Sequence, residues 1–207
     1  VYRNGTDLQS QGRWRDSNLV RWFDNTLRPI GGWRTRSDTA SAGQVRGLHS
    51  WIANNSDRWI AAGSYNKLYA YSGAGARYDI TPTGLTAGNE DALQPVGYGN
   101  AFYGLEYYGI ARQEVTTIVP ATTWAMDSWG EYLVACSSKD GKVYQWQLNT
   151  GTIAAPVANA PVNNRSILVT EERFLMCLGA GGNPRLVQWS DRENNTVWTP
   201  AATNEAG

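Results

Sequence analysis

Lys67-Leu-Tyr-Ala-Tyr71 returns twice along the chain, as Lys142-Val-Tyr-Gln-Trp146 and as Arg185-Leu-Val-Gln-Trp189. Each copy sets a cation before an aliphatic residue and ends on a large aromatic three residues after it. Each also follows an apolar run across a short polar or Gly-bearing turn: Trp59-Ile-Ala-Ala-Gly63, Tyr132-Leu-Val-Ala-Cys136 and Phe174-Leu-Met-Cys-Leu178. The pattern reads as one β-hairpin used three times.

Working outward, each hairpin gains a strand on either side. The first unit (44–82) has strands expected at Val45–Ile52, Trp59–Gly63, Lys67–Ser72 and Arg77–Ile80, with Asn54-Asn-Ser-Asp57 as a turn. Gly63 inside a strand predicts a close backbone approach or a bulge. The second unit (122–161) has strands at Thr123–Met126, Tyr132–Ser137, Lys142–Leu148 and Ile153–Val157, with Lys139-Asp-Gly141 turning its hairpin. The third (162–200) has strands at Ser166–Thr170, Phe174–Gly179 and Arg185–Ser190, and a fourth at Val197-Trp-Thr-Pro200. A unit of roughly 40 residues with four antiparallel strands is the signature of a propeller blade. The expected fold is all-β: a partial β-propeller of four-stranded antiparallel blades with an irregular N-terminal arm. An ordinary meander or sandwich is the alternative. Three blades fall short of the roughly four to eight that close a ring. Further blades are therefore expected beyond Gly207, with 201–207 starting that continuation, or the chain is an open part of a larger body. An opening at Val1 without Met fits a processed chain or an excerpt.

Two stretches stand outside the repeats. Residues 83–121 carry Gly97-Tyr-Gly-Asn-Ala-Phe-Tyr-Gly104 and Tyr107-Tyr-Gly109. Tyr with Gly gives large contact area on an adaptable backbone, so Tyr98, Tyr103, Tyr107 and Tyr108 are candidate contact residues; a plain surface loop is the alternative. The arm, 1–43, is broken by turn signals, although Leu19–Phe23 could pair with Leu27-Arg28 across Asp24-Asn25. The net charge of zero conceals a division. Residues 1–36 hold seven Arg and three Asp (7 − 3 = +4), and residues 37–207 hold eleven cations and fifteen acids (11 − 15 = −4). A basic arm on an acidic body favours docking to an acidic neighbour, a second copy included, or to nucleic acid. Arg interleaved with Trp suits packed interfaces. Arg13, Trp14, Arg21, Trp22, Arg28 and Trp33 are the candidates there.

The inventory for chemistry is thin. His49 is the only histidine and sits mid-strand, where a structural or surface role is expected. No nucleophile elbow, phosphate loop, dinucleotide fingerprint or metal-ligand spacing occurs. Glu171-Glu172 and Asp191 with Glu193 read as solvated turn charges rather than a hydrolytic pair. Ser138-Lys-Asp-Gly141 lacks the residue that a sialidase Asp-box sets between Asp and Gly. Cys136 and Cys177 occupy matching apolar runs and read as small buried hydrophobes, with a bridge between neighbouring repeats left open. No catalytic site, cofactor or metal is expected, and no apolar run is long enough to span a membrane.

A family resemblance rests on Asn18–Phe23, Leu27-Arg-Pro-Ile-Gly-Gly-Trp33, Ala62-Gly63 with Lys67-Leu-Tyr69, Tyr78-Asp-Ile-Thr-Pro82, Trp124–Cys136, and Trp189-Ser-Asp191 with Trp198-Thr-Pro200. These segments and their spacing resemble the amino-terminal half of bacteriophage tail structural proteins, similar to nozzle or tubular components of short-tailed phages. The resemblance covers most of the chain and rests on structural Trp, Arg and Gly positions. It implies propeller-bearing subunits in a six-fold ring that extends the DNA ejection channel below the portal and adaptor proteins of the virion. Self-association, contact with neighbouring tail proteins and passing contact with genomic DNA follow from it as expectations. A glycan-binding propeller for host attachment is the alternative from another class, and a glycan-degrading enzyme the third.

Overall fold

The computed structural model describes residues 6, 8–9, 11–12, 18–32, 34–35, 37, 39–93 and 118–207. Two compact units result, Val1–Arg36 and Ser37–Gly207. All sheets are antiparallel.

The first unit contains one hairpin, β1 (Val20–Phe23) with β2 (Thr26–Pro29). Asp24 and Asn25 turn it with φ of 47° and 55°. Two successive left-handed residues make the primed turn that matches strand twist, and Asp and Asn tolerate that conformation. The pairing expected for Leu19–Phe23 is therefore observed, one residue later.

The second unit is three sheets stacked face to face. The first sheet runs in order β3 (Gly47–Ile52), β4 (Arg58–Gly63), β5 (Leu68–Ser72), β6 (Arg77–Asp79). The second joins β7 (Trp124–Trp129), β8 (Tyr132–Ser137), β9 (Val143–Trp146) and the short β10 (Ala155–Pro156). The third joins β11 (Ser166–Val169), β12 (Leu175–Leu178) and β13 (Val187–Trp189).

β8 decides the packing. Its side chains alternate between two cores. Leu133 and Ala135 join Trp51, Trp59, Ala61, Leu68 and Ala70 of the first sheet. Val134 and Cys136 join Ile167, Leu175 and Cys177 of the third. A strand covered on both faces reads as a continuous apolar run, as Leu133–Cys136 does. Reciprocal indole bonds fasten the first two sheets: Trp51 Nε1 donates to Glu131 O (2.9 Å) and Trp124 Nε1 donates to Ser64 O (2.7 Å). Trp59 meets Trp146 edge-on at 5.3 Å, a favourable aromatic geometry. The opening strands of the sheets lie together, β7 having β3 on one side and β11 on the other. Across β3–β7, His49 Nε2 lies 2.8 Å from Ser128 Oγ; across β7–β11, Val169 N donates to Asp127 Oδ2 at 2.8 Å. Gly63 is the close approach its strand position predicts: a Cβ there would sit 2.3 Å from Trp124 Cδ1.

Three expectations need correction. Val197–Pro200 is not a strand; Trp198 is buried in the core between the second and third sheets, and its indole N–H donates to Asn195 O (2.8 Å). The place beside β13 is taken by Gly207, which exchanges backbone bonds with Trp189 (Trp189 N to Gly207 O 2.6 Å, Gly207 N to Trp189 O 3.2 Å). The third aromatic echo is also out of phase. Trp146 pairs with Leu133 and faces the first sheet, as an echo of Tyr71 opposite Ile60 in the earlier hairpin. Trp189 pairs with Met176 instead, one residue along, which turns it to the far face of the third sheet. The cause is the connection: the third hairpin crosses through a 3-10 turn at Ala180–Gly182 rather than a tight loop. Finally, Lys139-Asp-Gly141 does turn the second hairpin, between β8 and β9, but not as a tight Asp-Gly turn with two left-handed residues. Gly141 N reaches back to Ser137 O (2.8 Å), and Gly141 alone takes a positive φ, 68°.

Candidate interaction surfaces

The hairpin of the first unit is amphipathic across its thickness. Strand alternation sends Val20, Trp22, Leu27 and Pro29 to one face and Arg21, Phe23, Thr26 and Arg28 to the other. Arg21 and Arg28 stand directly opposite, a pairing that like charges disfavour. Phe23 relieves it in part: the Arg28 guanidinium lies 5.0 Å from its ring centroid and that of Arg21 5.8 Å. Trp22 is 63% exposed and Phe23 49%. A two-stranded hairpin is marginal alone in water, and among the described residues this one half-buries Val20 and Leu27 while leaving Trp22 exposed on that face and Arg21, Phe23, Thr26 and Arg28 exposed on the other. Of the sequence candidates, Arg21, Trp22 and Arg28 are thus gathered on one hairpin, on opposite faces. Arg13, Trp14 and Trp33, with Tyr98, Tyr103, Tyr107 and Tyr108, lie outside the described residues.

The insertion after the first sheet has a closed root. Leu93 and Val119 exchange both backbone bonds (2.8 and 3.0 Å), and Asn89 N donates to Thr122 Oγ1 (2.8 Å) while Thr122 N donates to Asn89 O (3.0 Å). The buried Asp140 holds the near side, accepting from Thr86 N (3.2 Å) and from the Tyr144 hydroxyl. Burial pushes the Asp140 carboxyl up, but the bonds from Tyr144 and Thr86, with Lys142 nearby, outweigh it and hold the group below its ordinary value. Beside this root opens a cleft of about 500 Å³, whose polar lining includes Asn89, Thr123, Ser138, Lys139, Asn163 and Arg165. Asn164 also lines it, buried and donating to Gly141 O and Pro161 O. Asn164-Arg-Ser166 has the form of an N-glycosylation acceptor, and this burial closes it off in the fold.

His49 and Ser128 form a histidine–hydroxyl contact, but the arrangement lacks the geometry of a triad. Asp127 adjoins Ser128 in sequence and so points to the opposite face of β7, where it accepts from Val169 N. The imidazole stacks on Trp51 at 5.8 Å, and burial lowers its pKa against a smaller opposing pull from Asp127. Cys136 and Cys177 are both free and share one core. Burial pushes each thiol up to about 12, so both stay protonated and inert at neutral pH. No metal-holding group of acids, histidines and cysteines occurs among the described residues. No helix there is long and apolar enough to cross a membrane.

No family model, no curated protein and no solved structure matches this chain.

Proposed function

We propose that this chain is a structural protein of a phage tail, a nozzle or tube component that acts by assembling as a ring around the DNA ejection channel. The observation that carries the reading is the Val20–Pro29 hairpin. It belongs to a compact unit of its own and presents an apolar face and an arginine–aromatic face, with Trp22 and Phe23 exposed. Surfaces of that composition suit packed protein interfaces, where Arg and aromatic residues are enriched. The stacked sheets serve as the rigid body, and in this reading they are blades of a propeller. Support for that comes from the convergence of β3, β7 and β11, since wedge-shaped stacking brings inner strands together and splays the outer ones. The specific placement in a tail rests on the resemblance of the Trp, Arg and Gly segments.

The test is charge reversal of Arg21 and Arg28 together. We expect R21E/R28E to keep its circular dichroism and to lose incorporation into tail assemblies, seen by electron microscopy. Tails that assemble normally with this variant would sink the reading.

The polar cleft favours a second reading, a glycan-binding module. Its amide, hydroxyl and cationic lining is the chemistry that sugar hydroxyls or an acidic glycan would meet. Binding on a glycan array that is lost in K139A/R165A would favour it over the first.

A further inference from the structure

Segments 119–123, 138–141 and 163–165 meet at the cleft of about 500 Å³, and hydrogen bonds knit them into one wall. Ser138 N donates to Thr123 O (2.9 Å), and Thr123 N donates to Ser138 Oγ (3.0 Å). Asn164 N and Nδ2 both donate to Gly141 O (2.9 Å each), and Gly182 N donates to Asn163 O (3.2 Å). Gly141 fits so closely that a Cβ there would stand 2.6 Å from Asn163 Cα. The wall is formed before any ligand arrives, which lowers the cost of binding.

Its charge is of one sign. Lys139 and Arg165 are exposed and form no ion pair among the described residues, whereas Lys67, Lys142 and Arg46 each have a carboxylate partner. The described lining holds no acid, and no aromatic ring for a neutral sugar to stack on. One acceptor in this wall is left over. Asn164 is 2% exposed, and its Oδ1 is the one buried side-chain polar atom without a partner among the described residues. Its Nδ2 meets two carbonyls, Gly141 O (2.9 Å) and Pro161 O (2.5 Å), which fixes which way round the amide sits. A buried acceptor left unpaired is costly, and a hydroxyl supplied from the cleft, directly or through one water, would satisfy it.

We infer that the ligand of this cleft is an acidic sugar, its anionic group held by Lys139 and Arg165 and a ring hydroxyl donating toward Asn164 Oδ1. A simple anion answers the two cations and leaves the acceptor unpaired. A neutral sugar answers the acceptor and leaves the cations idle. The inference rests on the glycan-binding reading of the cleft and names the class of glycan; it is independent of placement in a tail.

Calorimetric titration of the chain tests this with sialyllactose, sulfated lactose and digalacturonate, each against a neutral counterpart: lactose for the first two, the methyl ester for the third. At least one acidic sugar should bind with a Kd of about 1 mM or tighter, about tenfold below its counterpart. Raising NaCl to about 0.5 M should weaken that binding, as screening requires. R165A and K139A should each weaken it about fivefold or more with unchanged circular dichroism. R58A, an exposed position outside the cleft, should bind like the parent. Which acid binds separates carboxylate from sulfate recognition. Equal binding of acidic and neutral forms, lost in R165A, overturns the inference and leaves the glycan reading standing. Acetate or inorganic sulfate competing as well as the sugar marks a plain anion site and overturns it too. No binding of these sugars also overturns it, and if a glycan array is blank as well, the glycan reading falls with it.

Discussion

Gly63 and Trp124 show how much can hang on one missing methyl. The indole ring lies where a Cβ at 63 would be, and its N–H is already committed to Ser64 O. Gly63→Ala must therefore push a buried ring out of place, and we expect a loss of about 1–3 kcal/mol in urea denaturation, typical of overpacking. His49 offers a second reading at this scale. Burial lowers its pKa, so the unfolded chain binds the proton more readily than the folded one. Stability should hold above the ordinary histidine value of about 6.5 and fall as pH drops below it. His49 is the only histidine, so His49→Gln should flatten that slope in thermal melts between pH 5 and 8. An unchanged slope would show the titration lies elsewhere. The strand position of Gly63 was enough to announce a close approach. Its partner was not readable, because Trp124 lies some sixty positions away and only the stacking of sheets brings it there.

Hairpins were the most readable elements, since alternation and turn residues are local signals. Leu68–Ser72 and Tyr132–Ser137 fall where periodicity places them. What failed was phase. The third hairpin keeps its apolar residues but crosses by a longer connection, and that one-residue shift turns Trp189 to the opposite face. The strand expected at Val197–Pro200 does not form: Val197-Trp198 has strand composition, yet Trp198 is drawn into the core by burial and its bond to Asn195 O. The candidate site was legible only as composition. Arg21, Trp22 and Arg28 could be picked out, but their division between two faces needed the pairing register. The insertion yields a prediction of its own. Because Leu93 and Val119 close its root, replacing 94–117 with a short Gly-Ser link should leave the melting temperature within a few degrees of the parent, loop-closure costs growing slowly with length. A large drop would mean that the replaced segment supports the sheets.

At the scale of the whole body, the two cores are not independent. They are the two sides of one sheet, with Leu133 and Ala135 in one and Val134 and Cys136 in the other. Opening either core strips β8 on one face and weakens its hold on the other. We expect Ser37–Gly207 to unfold in a single urea transition, with tryptophan fluorescence and far-UV circular dichroism superimposing. Separate midpoints would mean that the third sheet can leave alone. The same strand also bears on evolutionary drift. Most β-strands have a wet side on which substitutions accumulate harmlessly, but Leu133–Cys136 has none, and Ala135 and Cys136 admit little growth in either direction. In a saturation library screened for soluble protein, this four-residue window should be the poorest in surviving variants.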